Sequence, residues 1–250
     1  MNISDILLGA AIIIAAPAVN SGGEAKAAIN DGNEAKAQQI HPDQVVVDSP
    51  FVHDPVLAYE NGKYYLYSTG HGISQMTSAD RKHWSLCREG VLKNHEIPAW
   101  THDSVPGFHT HIWAPDVIRY RNKWYLAYSC STFGKNTSAI GLLSNSSLAN
   151  VNGWKDEGCI LASEGKRDNW NAIDPNFVID DKGNPWMTWG SFWDGIQMIQ
   201  LDKKTMHVKK GAKPQTIARR HAFGDASAEP NPTSKFAGTN AIEAPFIMKH

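Results

Sequence analysis

The chain is poor in cysteine: it has three, Cys87, Cys130 and Cys159, and no CxxC pair. That count excludes a cysteine zinc site and a disulfide scaffold, leaving room for one pair at most. It also lacks a charge excess, with 24 basic side chains against 25 acidic ones and a net charge of −1. Such a balance speaks against nucleic acid or an anionic membrane surface as a partner. The apolar run Ile6 to Ala18 has 13 residues, too short to span a bilayer as a helix. No stretch shows a 3.6-residue apolar period. There is no GxSxG, P-loop or GxGxxG, and the helical metalloprotease pattern fails at His95-Glu96-Ile97-Pro98-Ala99, where proline breaks it.

Aromatic residues, by contrast, are plentiful. Nine Trp, seven Tyr and eight Phe, in a chain that is 42% hydrophobic, supply a sizeable core. Twenty Gly and thirteen Pro call for many turns. The apolar run and the A-x-A patterns at 16–18 and 25–27 read as a secretory signal peptide over 1–27, which implies a secreted or periplasmic protein. The leading segment lacks Lys and Arg and carries Asp5, so a buried N-terminal helix is the competing reading. Residues 28–50, small and polar for most of their length, read as a flexible leader, and 51–250 as the catalytic part.

From Val52 onward the chain repeats itself. His53-Asp54-Pro55-Val56 leads through Asn61-Gly62 to Tyr64-Tyr65-Leu66-Tyr67-Ser68. Trp113-Ala114-Pro115-Asp116-Val117 leads through Arg121-Asn122 to Trp124-Tyr125-Leu126-Ala127-Tyr128-Ser129. Ile173-Asp174-Pro175-Asn176-Phe177 leads through Gly183-Asn184 to Trp186-Met187-Thr188-Trp189-Gly190. Each is a hairpin followed by a second one, the later strands being expected at 76–80 with 90–92, 139–144 with 158–161, and 196–202 with 215–218. The prolines stand at 55, 115, 175 and 245, giving spacings of 60, 60 and 70. About four strands per unit at this period predict propeller blades, a β-sandwich being the alternative. The chain then holds three blades and the first strand of a fourth, Glu243-Ala244-Pro245-Phe246, and reads as the opening part of a longer propeller. Lone blades leave apolar faces uncovered, so such a piece is expected to aggregate when made by itself.

In a propeller the first strand of each blade lines the central axis, so equivalent positions converge. Asp54 and Asp174 immediately precede their prolines, and Glu243 stands two before its own. Asp116 follows its proline and should point the other way, as a structural residue. Three converging carboxylates suit glycoside hydrolysis. One carboxyl protonates the leaving oxygen, another ionised one acts on the opposite side of the sugar, and a third raises the acid's pKa by like-charge repulsion. The alternative for each is a bond to backbone amides at its own turn. Trp113, Phe133-Gly134 and Trp189-Gly190-Ser191-Phe192-Trp193 supply aromatic faces and close backbone approach for a sugar. Trp124, Tyr125 and Trp186 read as core. His109 and His111 share one side of a strand, but lack a third ligand for a metal. Sequons stand at Asn136 and Asn145.

These motifs resemble glycoside hydrolase family 43. His53-Asp54-Pro55, Trp113-Ala114-Pro115-Asp116-Val117, Asn171-Ala172-Ile173-Asp174-Pro175 and Ile242-Glu243-Ala244-Pro245-Phe246 carry the likeness. Ser131-Thr132-Phe133-Gly134 with 137–142, and Trp189 to Ile196, resemble its endo-1,5-alpha-L-arabinanases. The resemblance covers Val52 to His250 and implies an all-β, five-bladed β-propeller that inverts the anomeric carbon. It implies Asp54 as general base, Glu243 as general acid and Asp174 as the carboxylate that tunes and orients the acid. It implies substrate contacts at Gly134, at Asn171, Ala172 and Ile173, and at Gly190, Ser191 and Phe192. The implied substrate is arabinan or an arabino-oligosaccharide, cut at internal alpha-1,5 bonds by a protein that is a monomer when complete. An exo-acting arabinofuranosidase or xylosidase, or an inactive glycan-binding propeller, are the alternatives. No cofactor is implied for the chemistry. A structural calcium ion is implied, with its histidine ligand beyond residue 250, so the metal site stays unknown here. The Pro-, Ala- and Ser-rich segment 219–240 is expected to shape one end of the cleft.

Overall fold

A computed structural model describes residues 44–220 and 241–248 of the chain. The expected signal peptide, most of the expected leader and most of segment 219–240 lie outside the described residues. The first sheet is built from β1 (Gln44–Val47), β2 (Val56–Glu60), β3 (Lys63–Ser68), β5 (Ser74–Ser78) and β6 (Trp84–Cys87), after a two-residue strand β4 (Gly70–His71) that leaves it. The second holds β7 (His111–Tyr120), β8 (Lys123–Cys130), β9 (Ser138–Asn145) and β10 (Lys155–Ser163), with β4 on its edge. The third holds β11 (Asn176–Ile179), β12 (Pro185–Trp189), β13 (Ile196–Gln200) and β14 (Gln215–Ala218). The strand orders are β1-β6-β5-β3-β2, β10-β9-β8-β7-β4 and β11-β12-β13-β14, all antiparallel. Helix is confined to the turn Lys93–His95 and α1 (Thr101–Ser104) among the described residues.

Local chemistry sets these hairpins. The β2–β3 turn places Asn61 at φ 49° and Gly62 at φ 84°, the left-handed pair that a two-residue hairpin needs. In the third sheet Asp180 Oδ1 accepts the Lys182 and Asn184 amides and closes the β11–β12 turn. The aromatic strands then divide their side chains between two cores. Along β8, Trp124, Leu126 and Tyr128 face the first sheet, while Tyr125 and Ala127 face the third. Both faces of the second sheet are thereby covered, and β9 is buried at every position. Each large apolar side chain so buried contributes about 1.5–3 kcal/mol.

The first strands of successive sheets lie side by side, β2 against β7 and β7 against β11. Buried carboxylates and amides tie them together. Glu60 accepts Trp124 Nε1 at 2.7 Å, Ser147 Oγ at 2.7 Å and the Leu148 amide at 2.7 Å. Asp116 Oδ2 accepts the Phe177 amide at 2.6 Å, and Asn176 Oδ1 accepts the Ile247 amide at 2.8 Å. Asp116 and Asn176 occupy the same repeat position, just after the proline, and both reach the second residue past the next proline. Asp116 is therefore structural, as its place after Pro115 predicted. The sequons are structural too: Asn136 Nδ2 donates to the Asp168 and Trp170 carbonyls and Asn145 Nδ2 to that of Asn150, all from buried side chains.

Two details differ from the sequence reading. Residues 90–92 are not a strand: the outer strand is Trp84–Cys87, and Val91 folds back to donate to the Gly72 carbonyl at 3.0 Å. Gly90, at φ 68°, makes that turn, and a Cβ there would meet the Ile73 carbonyl oxygen. Pairing also begins earlier than residue 51. Within the stretch read as a leader, Gln44–Val47 adds to β6 in register Gln44↔Cys87 through Val47↔Trp84.

Candidate active site

Each repeat proline is preceded by a residue with positive φ: Asp54 at 50°, Ala114 at 40°, Asp174 at 57° and Ala244 at 53°. Non-glycine residues are costly in that region, by about 1–3 kcal/mol each. The strain recurs at one position in four units, so the surrounding sheet imposes it. It turns the chain sharply at the head of each first strand, and in the second sheet it coincides with a bulge between Trp113 and Asp116. The side chains at and beside these turns project at one end of the strands.

A hydroxyl caps the strained turn from the unit before. Thr69 Oγ1 accepts the Ala114 amide at 2.9 Å, and Ser129 Oγ accepts the Asp174 amide at 3.0 Å. Thr69 and Ser129 each lie 14 residues past their repeat proline. The third unit has Gly190 at the aligned position, and the neighbouring Ser191 hydroxyl donates to Glu243 Oε2. There the Ala244 amide goes to Asp174 Oδ2 at 3.2 Å instead. That bond fixes the Asp174 carboxyl beside the strand that carries Glu243.

The three carboxylates predicted to converge do so. Burial first, then the charges of Glu243 and Asp54, push the Asp174 carboxyl up to about 7. Glu243 pairs with Ser191 in an isolated antiparallel bridge, and Ser191 Oγ donates to Glu243 Oε2 at 2.9 Å. Phe192 adds a backbone bond to the Ile242 carbonyl at 2.8 Å. Asp54 Oδ2 receives Thr69 Oγ1 at 2.6 Å and lies 2.7 Å from His53 Nδ1.

The predicted sugar contacts separate into two groups. Trp113 and the exposed Phe133 line a cleft of about 210 Å³ together with Gly107 to His111, Ser131 and Thr132. Gly134 is next to it, exposed, with open space around its α-carbon. Asn171, Ala172, Ile173 and Gly190 are buried. The Gly190 amide donates to the Ile173 carbonyl at 2.9 Å and the Ala172 amide to Ser163 Oγ at 2.9 Å. Gly190 sits at φ 131°, where a Cβ would strike the Gly195 carbonyl oxygen. Ser191 is buried and Phe192 partly so. Trp124 and Tyr125 are core, and Trp186 is partly buried, with Nε1 donating to Asp180 Oδ2.

Imidazoles border the cleft. The His71 ring lies 5.2 Å from that of His111 and 6.2 Å from that of His95. Burial, then His71 and His53, hold the His111 imidazole below its ordinary pKa. Among the described residues no group of three or more His, Cys, Asp or Glu side chains is arranged to hold a metal ion. The residues present thus do not compose the calcium site implied by resemblance. Sequence reasoning missed Thr69 and Ser129, although a hydroxyl at a fixed distance after the repeat proline was there to be read.

Residues 44–250 match the family model of the glycosyl hydrolases family 43. An extracellular exo-alpha-(1->5)-L-arabinofuranosidase of Cellvibrio japonicus is 38% identical over 79% of this chain and 55% of its own length. An extracellular endo-alpha-(1->5)-L-arabinanase of Bacillus subtilis is 39% identical over 73% of this chain and 55% of its own. Among solved structures, an exo-1,5-alpha-L-arabinanase from a bovine ruminal metagenomic library superposes with a TM-score of 0.70 at 49% identity, covering 81% of this chain and 62% of that one. A Cellvibrio cellulosa alpha-L-arabinanase complexed with arabinohexaose gives a TM-score of 0.70 at 36% identity, covering 80% of this chain and 61% of that one. The chain spans about half the length of the curated relatives it matches, at 55% of each. It belongs to the glycosyl hydrolases family 43.

Proposed function

We propose that the protein carrying this chain is an inverting glycoside hydrolase that cleaves alpha-1,5-L-arabinofuranosidic bonds of arabinan. The observation that carries the reading is the grouping of Glu243 and Asp54 about Asp174, whose carboxyl is pushed up to about 7 by burial first and then by the charges of those two residues. Inverting hydrolysis needs one carboxyl that gives a proton and another that takes one, and a third carboxyl nearby suits a tuning role. Asp54 acts as general base: its carboxylate takes a proton from water as the water oxygen bonds to the anomeric carbon. The bond from that carbon to the leaving oxygen breaks, and Glu243 gives that oxygen its proton. Asp174 tunes and orients Glu243. Inversion requires the base and the acid to stand about 6.5–9.5 Å apart, leaving room for the water.

Attack on internal bonds is the leading reading. Exo action is the second, because relatives named for both modes match the chain at similar identity. Digestion of linear arabinan separates them: mixed oligosaccharides early indicate internal cleavage, and a single short product from the outset indicates exo action. Absence of any product, with arabino-oligosaccharide binding retained, supports a binding propeller instead. The three sheets correspond, on this reading, to the first blades of a five-bladed propeller, with 241–248 opening the fourth. Residues 1–27 act as the export signal, in keeping with relatives named extracellular.

A further inference from the structure

We infer that Thr69 is a positioning residue for Asp54: its hydroxyl holds one carboxylate oxygen in place and leaves the other to meet the attacking water. This rests on the reading of Asp54 as general base. Thr69 follows β3 directly, is partly buried, and its own amide donates to the His53 carbonyl at 3.0 Å. The backbone beside Asp54 is thereby fixed before any side chain is considered. The hydroxyl of Thr69 has one proton to donate. The Ala114 amide, 45 residues downstream, donates to its oxygen at 2.9 Å, so that oxygen is oriented by the next sheet. The proton is then directed at Asp54 Oδ2, 2.6 Å away.

A hydroxyl donor bonds a charged carboxylate more strongly than a neutral carboxyl. His53 Nδ1 lies against the same Oδ2 at 2.7 Å. Both hydrogen bonds that Asp54 makes with described side chains therefore end on Oδ2. Oδ1 takes neither. The two oxygens of Asp54 are thus differentiated: one is anchored and the other is left for water. The exposed His53 imidazole is a loose anchor, at 75% relative side-chain exposure, whereas Thr69 is tied into two sheets. Ser129 repeats the amide cap one unit later, which shows the hydroxyl to be a device of the fold. In the first unit its spare proton is turned to the site.

The test compares Thr69→Val, Thr69→Ser and Asp54→Asn in the full chain, with folding checked by circular dichroism. Thr69→Val should lower kcat about tenfold, the loss expected for one hydrogen bond to a charged group. KM should change less than about twofold, and the acidic limb of the pH–rate profile should move to higher pH. Thr69→Ser should restore both the rate and the profile, which a purely structural loss of side-chain volume would not. If valine prevents folding, Thr69→Cys, a weak donor of similar size, should show the same shift in reduced form. An unmoved acidic limb in Val or Cys, with Asp54→Asn inactive, overturns the inference while leaving Asp54 as base. Substantial activity in Asp54→Asn overturns the base assignment itself and this inference with it.

Discussion

Ser191 and Glu243 are joined twice, by an antiparallel backbone bridge and by a 2.9 Å hydrogen bond from Ser191 Oγ to Glu243 Oε2. Glu243 is exposed and Ser191 is 4% exposed, so the buried partner anchors the free one. On the proposed role of Glu243 as general acid, that bond orients the carboxyl that meets the leaving group. Ser191→Ala should therefore cost about tenfold in kcat, in line with one hydrogen bond to a charged group. Steady-state kinetics on linear arabinan checks this, and an unchanged kcat would show that Ser191 does not orient the acid.

Asp54→Ala and Glu243→Ala should each lower turnover by at least about 10²-fold, the lower end for losing general acid–base catalysis. Neither change opens a core cavity, because both residues are exposed. Melting temperatures should therefore stay within a few degrees of the parent. Near-normal turnover in either variant removes that residue from the mechanism.

Asp174→Asn should separate tuning from binding. Asparagine keeps the size and can still accept the Ala244 amide, but it carries no charge. Below about pH 7 the protonated Asp174 is as neutral as asparagine, and only above it does the parent carry a charge that the variant lacks, so the two pH–rate profiles should part on the limb above neutrality. The wild-type carboxyl, up to about 7, places the affected range near neutrality. Profiles that superpose would assign Asp174 to structure alone.

Much of this arrangement was legible in the sequence because it is periodic. Three prolines with aromatic strands ten or eleven residues beyond them identified the hairpins, and the register of Asp54, Asp174 and Glu243 against the four repeat prolines singled out the trio. What was not legible depends on partners remote in the chain. Thr69 acts on an amide 45 residues away, and Ser191 on a carboxylate 52 residues away. The place of Thr69, 14 residues past its proline, could be read but its partners could not, and Ser191 differs locally from no other strand-end hydroxyl. The strand at Gln44–Val47 is four residues without alternation, and only its pairing with β6 reveals it. The burial of Asn171 to Ile173 was not legible either, because it follows from packing such as the Ser163 hydroxyl on the Ala172 amide.

The remaining prediction concerns stability and uses Asp116, 6% exposed between the second and third sheets. Burial pushes its carboxyl up to about 7, against the opposing pull of bonds from Phe177, Val117 and Asn176. In the unfolded chain an aspartate releases its proton near 4. Between about pH 4 and pH 7 the folded protein therefore holds a proton that the unfolded chain has lost, and stability falls as pH rises through that window. Asp116→Asn removes the titration. It should also preserve the tie between sheets, since asparagine at the equivalent position, Asn176, accepts the Ile247 amide at 2.8 Å. The variant should be more stable than the parent at pH 8 and lose that advantage toward pH 4. Urea unfolding across this range measures it. A stability difference independent of pH would mean that Asp116 is not protonated in the folded protein near neutrality.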